Sequence, residues 1–351
     1  MNSNSGRIFA IIDGGSSNIR VFLTREELIL SKICIRRGAI DRVVRRDEKI
    51  LFSAIQTALR KSFKKLDSKG IKSEDVDFCI ILGMLTSNIG LLDLEHLTVP
   101  VGISELARGL MLKRIPELLP CPCLFIRGVK NAVRPENEDR FLGKIDSMRG
   151  EETQTIGILD LLPDLILPAL IVFLSSHTKY VGIGEQGKII GTLTTMSGQI
   201  YRAIKKTTYL SRYIPDDNII HLKKISRDDL WAGIASERKE GFLRAILLPR
   251  FMDVVLNAQI DRCYSNLLGT IVGSDLRAFS SFRETISRKL KSIVFIGNNN
   301  RPLLYREVFR KEIGHEVPMY TLDEDGLEQA VVRGAIRIFH CAEESNFLLP
   351  M

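Results

Sequence analysis

Hydroxyls, carboxylates and glycines gather at a few places in this chain, in combinations suited to handling phosphate. Asp13 follows the apolar run 8–12 and leads into Gly14-Gly15-Ser16-Ser17-Asn18. A carboxylate at the end of a buried strand can hold Mg²⁺ or its waters, and the N–H groups and hydroxyls of a following turn can face phosphate oxygens. The same Asp-Gly-Gly run also suits an ordinary hairpin turn. A second hydroxyl-rich turn is Leu174-Ser175-Ser176-His177-Thr178-Lys179. Between them lies Met148-Arg149-Gly150-Glu151-Glu152-Thr153-Gln154, whose charges precede an apolar run. That order marks a helix start, where acidic side chains complement the dipole, and first-turn stabilisation by itself explains the Glu-Glu pair.

The elements that must position these residues come in two similar sets. The first set has strands at 8–12, 19–24 and 28–35 and a helix at 50–66, where Leu51, Ile55, Leu59 and Phe63 form one apolar stripe. A strand at 76–82, a helix at 104–114 and a strand at 123–126 follow. The second set opens with strands at 169–174, 179–183 and 188–193, then helices at 196–212 and 251–278 and a strand at 292–296. A helix from 303, a strand at 317–320 and a helix at 326–341 end the chain. A meander followed by alternating helices and strands implies a mixed sheet covered by helices, built twice. The expected domains are 1–147 and 148–351, divided after the polar segment 131–146. Such a duplication leaves a cleft between the halves, a preferred ligand site, with a phosphate-facing turn at the first hairpin of each half.

At 351 residues, 45% hydrophobic and 26% charged, the chain has the composition of a globular protein with two cores. Pro163, Asp164 and Pro168 interrupt the most apolar stretch, so no membrane span is expected. Six scattered cysteines read as buried thiols in a reducing cytoplasm rather than as disulfides or zinc ligands. The net charge of +8 clusters at Lys32, Arg36, Arg37, Arg42, Arg45 and Arg46, and again at Arg60, Lys61, Lys64 and Lys65. No interleaved aromatics or nucleic-acid motif accompany these clusters, so they read as solvated faces and not as a nucleic-acid surface.

Taken together, the segments resemble the 2-dehydro-3-deoxygalactonokinases, sugar-acid kinases of the actin-like, Hsp70-like and hexokinase-like ATPase superfamily. Asp13 to Arg20 is similar to the family's opening Asp-Trp-Gly-Thr/Ser-Thr-Asn-Leu-Arg, and Gly83 to Leu91 to its Gly-Met-x-Gly-Ser-Asn-x-Gly-Trp block. Met148 to Gln154 matches the family's Met-Arg-Gly-Glu-Glu-Thr-Gln at every position, and Leu174 to Tyr180 resembles Pro-Gly-Thr-His-x-Lys-Trp. Departures are Gly14 and Leu91 in place of aromatics, Ser175 in place of glycine, and Gln199 in place of glutamate.

The resemblance implies a duplicated α/β fold of the actin-like (ribonuclease H-like) ATPase type, with two domains around a central cleft. It implies ATP- and Mg²⁺-dependent phosphorylation of the terminal hydroxyl of a 2-dehydro-3-deoxy sugar acid, most simply 2-dehydro-3-deoxy-galactonate. Asp13 would hold the metal; Ser16, Ser17 and Asn18 would meet phosphate from one side, and Ser175 and Ser176 from the other. Glu151 would be the general base, by analogy with the catalytic carboxylate that follows glycine in related carbohydrate kinases, with Glu152 as runner-up. Arg149 and Lys179 would pair with the substrate carboxylate, Ser87, Asn88, Glu152 and His177 would also contact substrate, and Gly297 and Asn298 would contact the nucleotide. The expected partners are a sugar acid and ATP, away from membranes and nucleic acid, with the protein alone or as a homodimer. The departures motivate an alternative, a non-catalytic nucleotide- or sugar-binding sensor or scaffold of the same fold.

Overall fold

The computed structural model describes residues 6–47, 49–132, 142–217, 219–286 and 290–348. The chain divides into two compact units, residues 1–165 with 187–189 and 327–351, and residues 166–186 with 190–326.

In the first unit the strands are β1 (Ile8–Gly14), β2 (Ile19–Arg25), β3 (Leu28–Ile35) and β4 (Phe78–Gly83), with a short β5 (Leu97–Thr98), then β6 (Met111–Arg114) and β7 (Pro122–Phe125). The main sheet has the order β3-β2-β1-β4-β7-β6, and β1 runs antiparallel to β2 but parallel to β4. Every residue of β1 is buried, as its unbroken apolar run requires of a central strand. Following α1 (Ala39–Arg45), helix α2 (Ile50–Leu66) lays Leu51, Ala54, Ile55, Ala58 and Leu59 over Ile8, Ala10 and Ile12 on one face of the sheet. Alternation sends Phe9 to the other face, where its ring meets Phe339 edge-on at 5.1 Å between centroids. Phe339 belongs to the C-terminal helix Glu324–Glu344.

Two further short strands, β8 (Val129–Lys130) and β9 (Ser147–Met148), join β5 in a small sheet that delivers the chain to Arg149 and Gly150. After α3 (Ile103–Arg108), α4 (Glu151–Leu161) begins there. It crosses the C-terminal helix at two glycines. A Cβ on Gly157 would stand 1.9 Å from the Ala330 carbonyl oxygen, and one on Gly334 1.9 Å from that of Thr153. Arg333 closes the crossing with a 2.8 Å ion pair to Asp160. This crossing explains why residues 148–165 and the C-terminal helix group with the first unit, where the sequence reading assigned both to 148–351. Residues 133–141, most of the polar segment 131–146 expected to divide the domains, lie outside the described residues.

The second unit repeats the plan with β10 (Ala169–Leu174), β11 (Thr178–Ile183), β12 (Ile189–Thr195), β13 (Ser292–Gly297) and β14 (Met319–Leu322), in the order β12-β11-β10-β13-β14. Here β10 is antiparallel to β11 and parallel to β13. The helices are α5 (Ser197–Thr207), α6 (Arg227–Glu240), α7 (Phe242–Ala245), α8 (Leu248–Leu256), α9 (Ile260–Ile286) and α10 (Arg301–Ile313); the C-terminal helix Glu324–Glu344, which belongs to the first unit from Leu327 on, is α11. Leu170, Val172 and Tyr180 pack with Leu267, Ile271 and Phe279 of α9 and with Phe309 of α10.

Three expected helices differ. The one at 104–114 stops at Arg108, before the poor helix former Gly109, and its tail becomes β6 because pairing with β7 is available. The one at 251–278 is broken at Asn257, which takes φ 51°, into α8 and α9. The one at 196–212 ends as α5 at Thr207 and continues as a short 3₁₀ turn. Helix α6 has no counterpart in the sequence reading, because charged residues at both of its ends obscure a narrow buried stripe at Leu230, Gly233 and Ile234.

Candidate active site

Strand β1 ends where the Gly15 N–H closes a turn on the Asn18 carbonyl at 2.8 Å. Asp13 and Arg20 are then directly opposite across the hairpin. Opposed residues share a sheet face, and Arg20 Nη2 donates to Asp13 Oδ2 at 2.5 Å. Asp13 is only 3% exposed, and its charge raises the pKa of the Arg20 guanidinium. Ser16 and Ser17 are half-buried and Asn18 is exposed. Helix α1 fixes this turn from below, with the Ala39 and Ile40 N–H groups donating to the Gly15 and Ser16 carbonyls at 3.1 and 3.0 Å.

The second oxygen of Asp13 faces glycines. Gly83 lies beside Gly14 in the parallel register and takes φ 74°. A Cβ on it would stand 2.4 Å from the Gly14 carbonyl oxygen and 3.0 Å from Asp13 Oδ1. Gly150 takes φ 105°, and its Cβ would lie 3.4 Å from Gly83 Cα and 3.8 Å from Asp13 Oδ1. Both backbones favour glycine, and the missing side chains leave room at Oδ1. The departure at Gly14 has a partner too, since a Cβ there would fall 2.3 Å from Leu85 Cγ. Leu85 therefore fills the space that a larger residue at 14 would need.

Arg149 ties these turns together. Its Nη1 donates to Thr86 Oγ1 at 3.0 Å and its Nη2 to the Leu94 carbonyl at 2.5 Å, with His96 Nδ1 at 3.4 Å. Burial holds its pKa below the ordinary value. Ser87 is buried and donates to the Met84 carbonyl at 2.7 Å, while Asn88 is exposed.

Glu151 and Glu152 differ sharply. Glu152 is 0% exposed, and its two oxygens accept the Gly150 N–H at 2.9 and 2.8 Å. Thr153 Oγ1 donates to it at 3.2 Å. Burial first, and the neighbouring Glu151 second, push its pKa up to about 8. Glu152 thus caps the start of α4, whereas Glu151 is half-buried at the same helix end.

In the second unit, Ser175 is exposed and Ser176 half-buried, with the Ser175 N–H donating to the His177 carbonyl at 3.0 Å. Ser176 Oγ lies 3.3 Å from His177 Nδ1. Lys179 is buried within β11, opposite Phe173. Gly297 ends β13 beside Leu174, and a Cβ on it would stand 2.5 Å from the Leu174 carbonyl oxygen. Asn298 is exposed in the turn that follows, which Asn299 and Asn300 complete at φ 58° and 61°.

The structure therefore brings Asp13, Ser16, Ser17, Asn18, Ser87, Asn88, Arg149, Glu151 and Glu152 into the first unit. It brings Ser175, Ser176, His177, Lys179, Gly297 and Asn298 into the second. Two cations were not assigned roles from sequence. Arg20 was visible only as part of a motif, and the hairpin register is the signal that pairs it with Asp13. Arg301, which bonds the Ser175 carbonyl, is 126 positions away from it and carries no local signal. Among the described residues, no three His, Cys, Asp or Glu side chains gather as a metal cage, and no helix is long and apolar enough to cross a membrane.

The family model for 2-keto-3-deoxy-galactonokinase matches residues 13–338. The crystal structure of a Sinorhizobium meliloti protein assigned as a 2-dehydro-3-deoxygalactonokinase aligns with a TM-score of 0.70 at 18% identity, over 97% of this chain and 100% of that one. An N-acetylglucosamine kinase assignment from Porphyromonas gingivalis aligns at 0.44 and 12% identity, over 93% and 98% of the chains. Acetate kinase from Entamoeba histolytica aligns at 0.46 and 9% identity, over 93% and 97%. No curated protein sequence matches the chain.

Proposed function

The chain belongs to the 2-keto-3-deoxy-galactonokinase family and is a sugar-acid kinase of the actin-like ATPase fold, and from that premise we propose that it transfers the γ-phosphoryl group of ATP to the terminal hydroxyl of 2-dehydro-3-deoxy-galactonate. The observation that carries the assignment of roles is the position of Gly150, whose absent side chain opens onto Asp13 Oδ1. It starts the Glu151 helix at the end of the Asp13 strand, so two carboxylates of different environment serve one place.

The family implies ATP and a divalent metal, and the residues at Asp13 fit Mg²⁺. One carboxylate oxygen is held by Arg20, and the other faces a cradle that a Cβ on Gly83 would fill. Mg²⁺ commonly binds through one or two carboxylates, waters and substrate phosphates. When bound it supplies charge neutralisation between the β- and γ-phosphates. Asp13 would hold it there, and Ser16, Ser17 and Asn18 offer N–H and O–H donors to the transferred group. Glu151 accepts the proton of the attacking hydroxyl, while Glu152 holds the first turn of α4 in place. Arg149, Ser87 and Asn88 orient the sugar acid. Ser175, Ser176, Gly297 and Asn298 receive the nucleotide phosphates.

The six cysteines are free thiols, which supports work in a reducing cytoplasm, and the protein acts alone or as a homodimer. A coupled ADP-release assay over a panel of 2-keto-3-deoxy sugar acids tests the activity. The expected result is Mg²⁺-dependent turnover highest with 2-dehydro-3-deoxy-galactonate. ADP release no faster with any acid than with ATP alone would overturn the reading.

A further inference from the structure

We infer that Arg301 is a nucleotide-binding residue whose guanidinium pairs with the phosphate oxygens of ATP and ADP. This inference rests on the kinase reading above and adds to it a charged group that the sequence motifs do not contain. A nucleotide polyphosphate carries several negative charges, yet Ser175 and Ser176 offer it only neutral groups, and the Lys179 that ends this turn is buried within β11. Arg301 provides a cation at the turn itself.

It follows the turn Gly297-Asn298-Asn299-Asn300 and reaches across to the other turn. There Nη1 donates to the Ser175 carbonyl at 2.7 Å and Nη2 to Thr178 Oγ1 at 3.3 Å. Thr178 Oγ1 is in turn 2.7 Å from Ser197 Oγ, which fixes the acceptor. The Tyr305 ring lies beneath the guanidinium, 5.7 Å from Cζ to centroid, and limits its swing.

The decisive feature is charge. Both acceptors are neutral, and although the Tyr305 hydroxyl donates to the buried Asp275 at 2.5 Å, no direct ion pair to Arg301 occurs among the described residues. Arg20 at the first-unit turn is the opposite case, neutralised by Asp13 at 2.5 Å. An oriented, half-exposed guanidinium with no direct carboxylate partner among the described residues, at the Ser175-Ser176 turn, suits phosphate, because its planar fork can give two parallel charge-assisted bonds. A purely structural link between the two turns would need only its hydrogen bonds and not its charge.

Calorimetric titration of the full chain with adenosine and with ADP, together with melting temperature, separates these roles. Arg301→Gln is expected to weaken ADP binding about tenfold to hundredfold, as loss of a charged hydrogen bond does, with adenosine binding unchanged. Arg301→Lys, which keeps the charge, is expected to recover part of the ADP affinity, and it carries the test if the Gln variant does not fold. Unchanged ADP binding, or equal losses for ADP and adenosine, would overturn the inference. Absence of ADP binding by the wild-type protein would overturn the kinase reading, and this inference with it.

Discussion

Gly14 in the first unit and Leu174 in the second end equivalent strands. Each strand has an antiparallel neighbour joined by a short turn and a parallel neighbour ending in glycine, Gly83 or Gly297. In both, a Cβ on that glycine would come within 2.4 or 2.5 Å of the carbonyl oxygen of the residue opposite. The backbones therefore solve the same problem in the same way. The side chains one residue earlier do not. Asp13 faces Arg20 across the first hairpin, and Phe173 faces Lys179 across the second. One turn presents a carboxylate already paired with a cation; the other lacks the carboxylate and is bonded by Arg301, which has no direct carboxylate partner among the described residues. A duplicated scaffold thus supplies two anchored turns that differ at matched positions, and the division of labour proposed above puts metal and proton chemistry at the first and phosphate binding at the second.

The largest effects should come from the carboxylates of the first unit. Glu151→Gln is expected to lower kcat roughly 10²–10⁴-fold with little change in KM, as removal of a positioned base does. Asp13→Asn, which keeps an oxygen for Arg20, should lower kcat about 10²–10³-fold, the usual cost of removing a preorganised electrostatic group. Steady-state kinetics beside melting curves checks both. Turnover near wild type in either variant would break the proposed division of labour.

Glu152 sharpens the contrast within that unit, because the role proposed for it is structural. Its pKa lies at about 8 in the folded chain, above the ordinary 4.5. The folded state therefore holds a proton that the unfolded state releases between those values. That stabilisation is complete below pH ~4.5 and is lost as pH rises towards ~8, with a slope approaching about 1.4 kcal/mol per pH unit. Denaturant unfolding across this range should show the decline in the wild type and a flatter profile in Glu152→Gln. Equal profiles would remove the assigned protonation. If kcat falls further in Glu152→Gln than in Glu151→Gln, the two roles must be exchanged.

The smallest effect is expected at the second turn. Ser176→Ala removes one neutral hydrogen bond, worth about 0.5–1.5 kcal/mol, so KM for ATP should rise roughly twofold to tenfold with kcat nearly unchanged. A fall in kcat comparable to that of Asp13→Asn would show that the second turn takes part in the chemical step.

Local pattern alone determined much of this protein. Continuous apolar runs of strand length, the four-residue stripe of α2 and the repeated meander order specify two helix-covered mixed sheets, because burial of a strand or helix face is written in its own residues. The three turns that carry hydroxyls and carboxylates are likewise legible, since a strand end must be punctuated by residues that can turn. Tertiary structure alone decided the partners. The choice between Glu151 and Glu152 depends on which carboxylate is buried against the Gly150 N–H, and adjacent identical residues give no sign of that. The membership of α4 in the first unit depends on Gly157 and Gly334 meeting across 177 positions of chain. Arg301 reaches Ser175 only because β10 and β13 lie side by side in one sheet. Contacts of this range are products of packing, in which residues remote in sequence compete for the same space and charge.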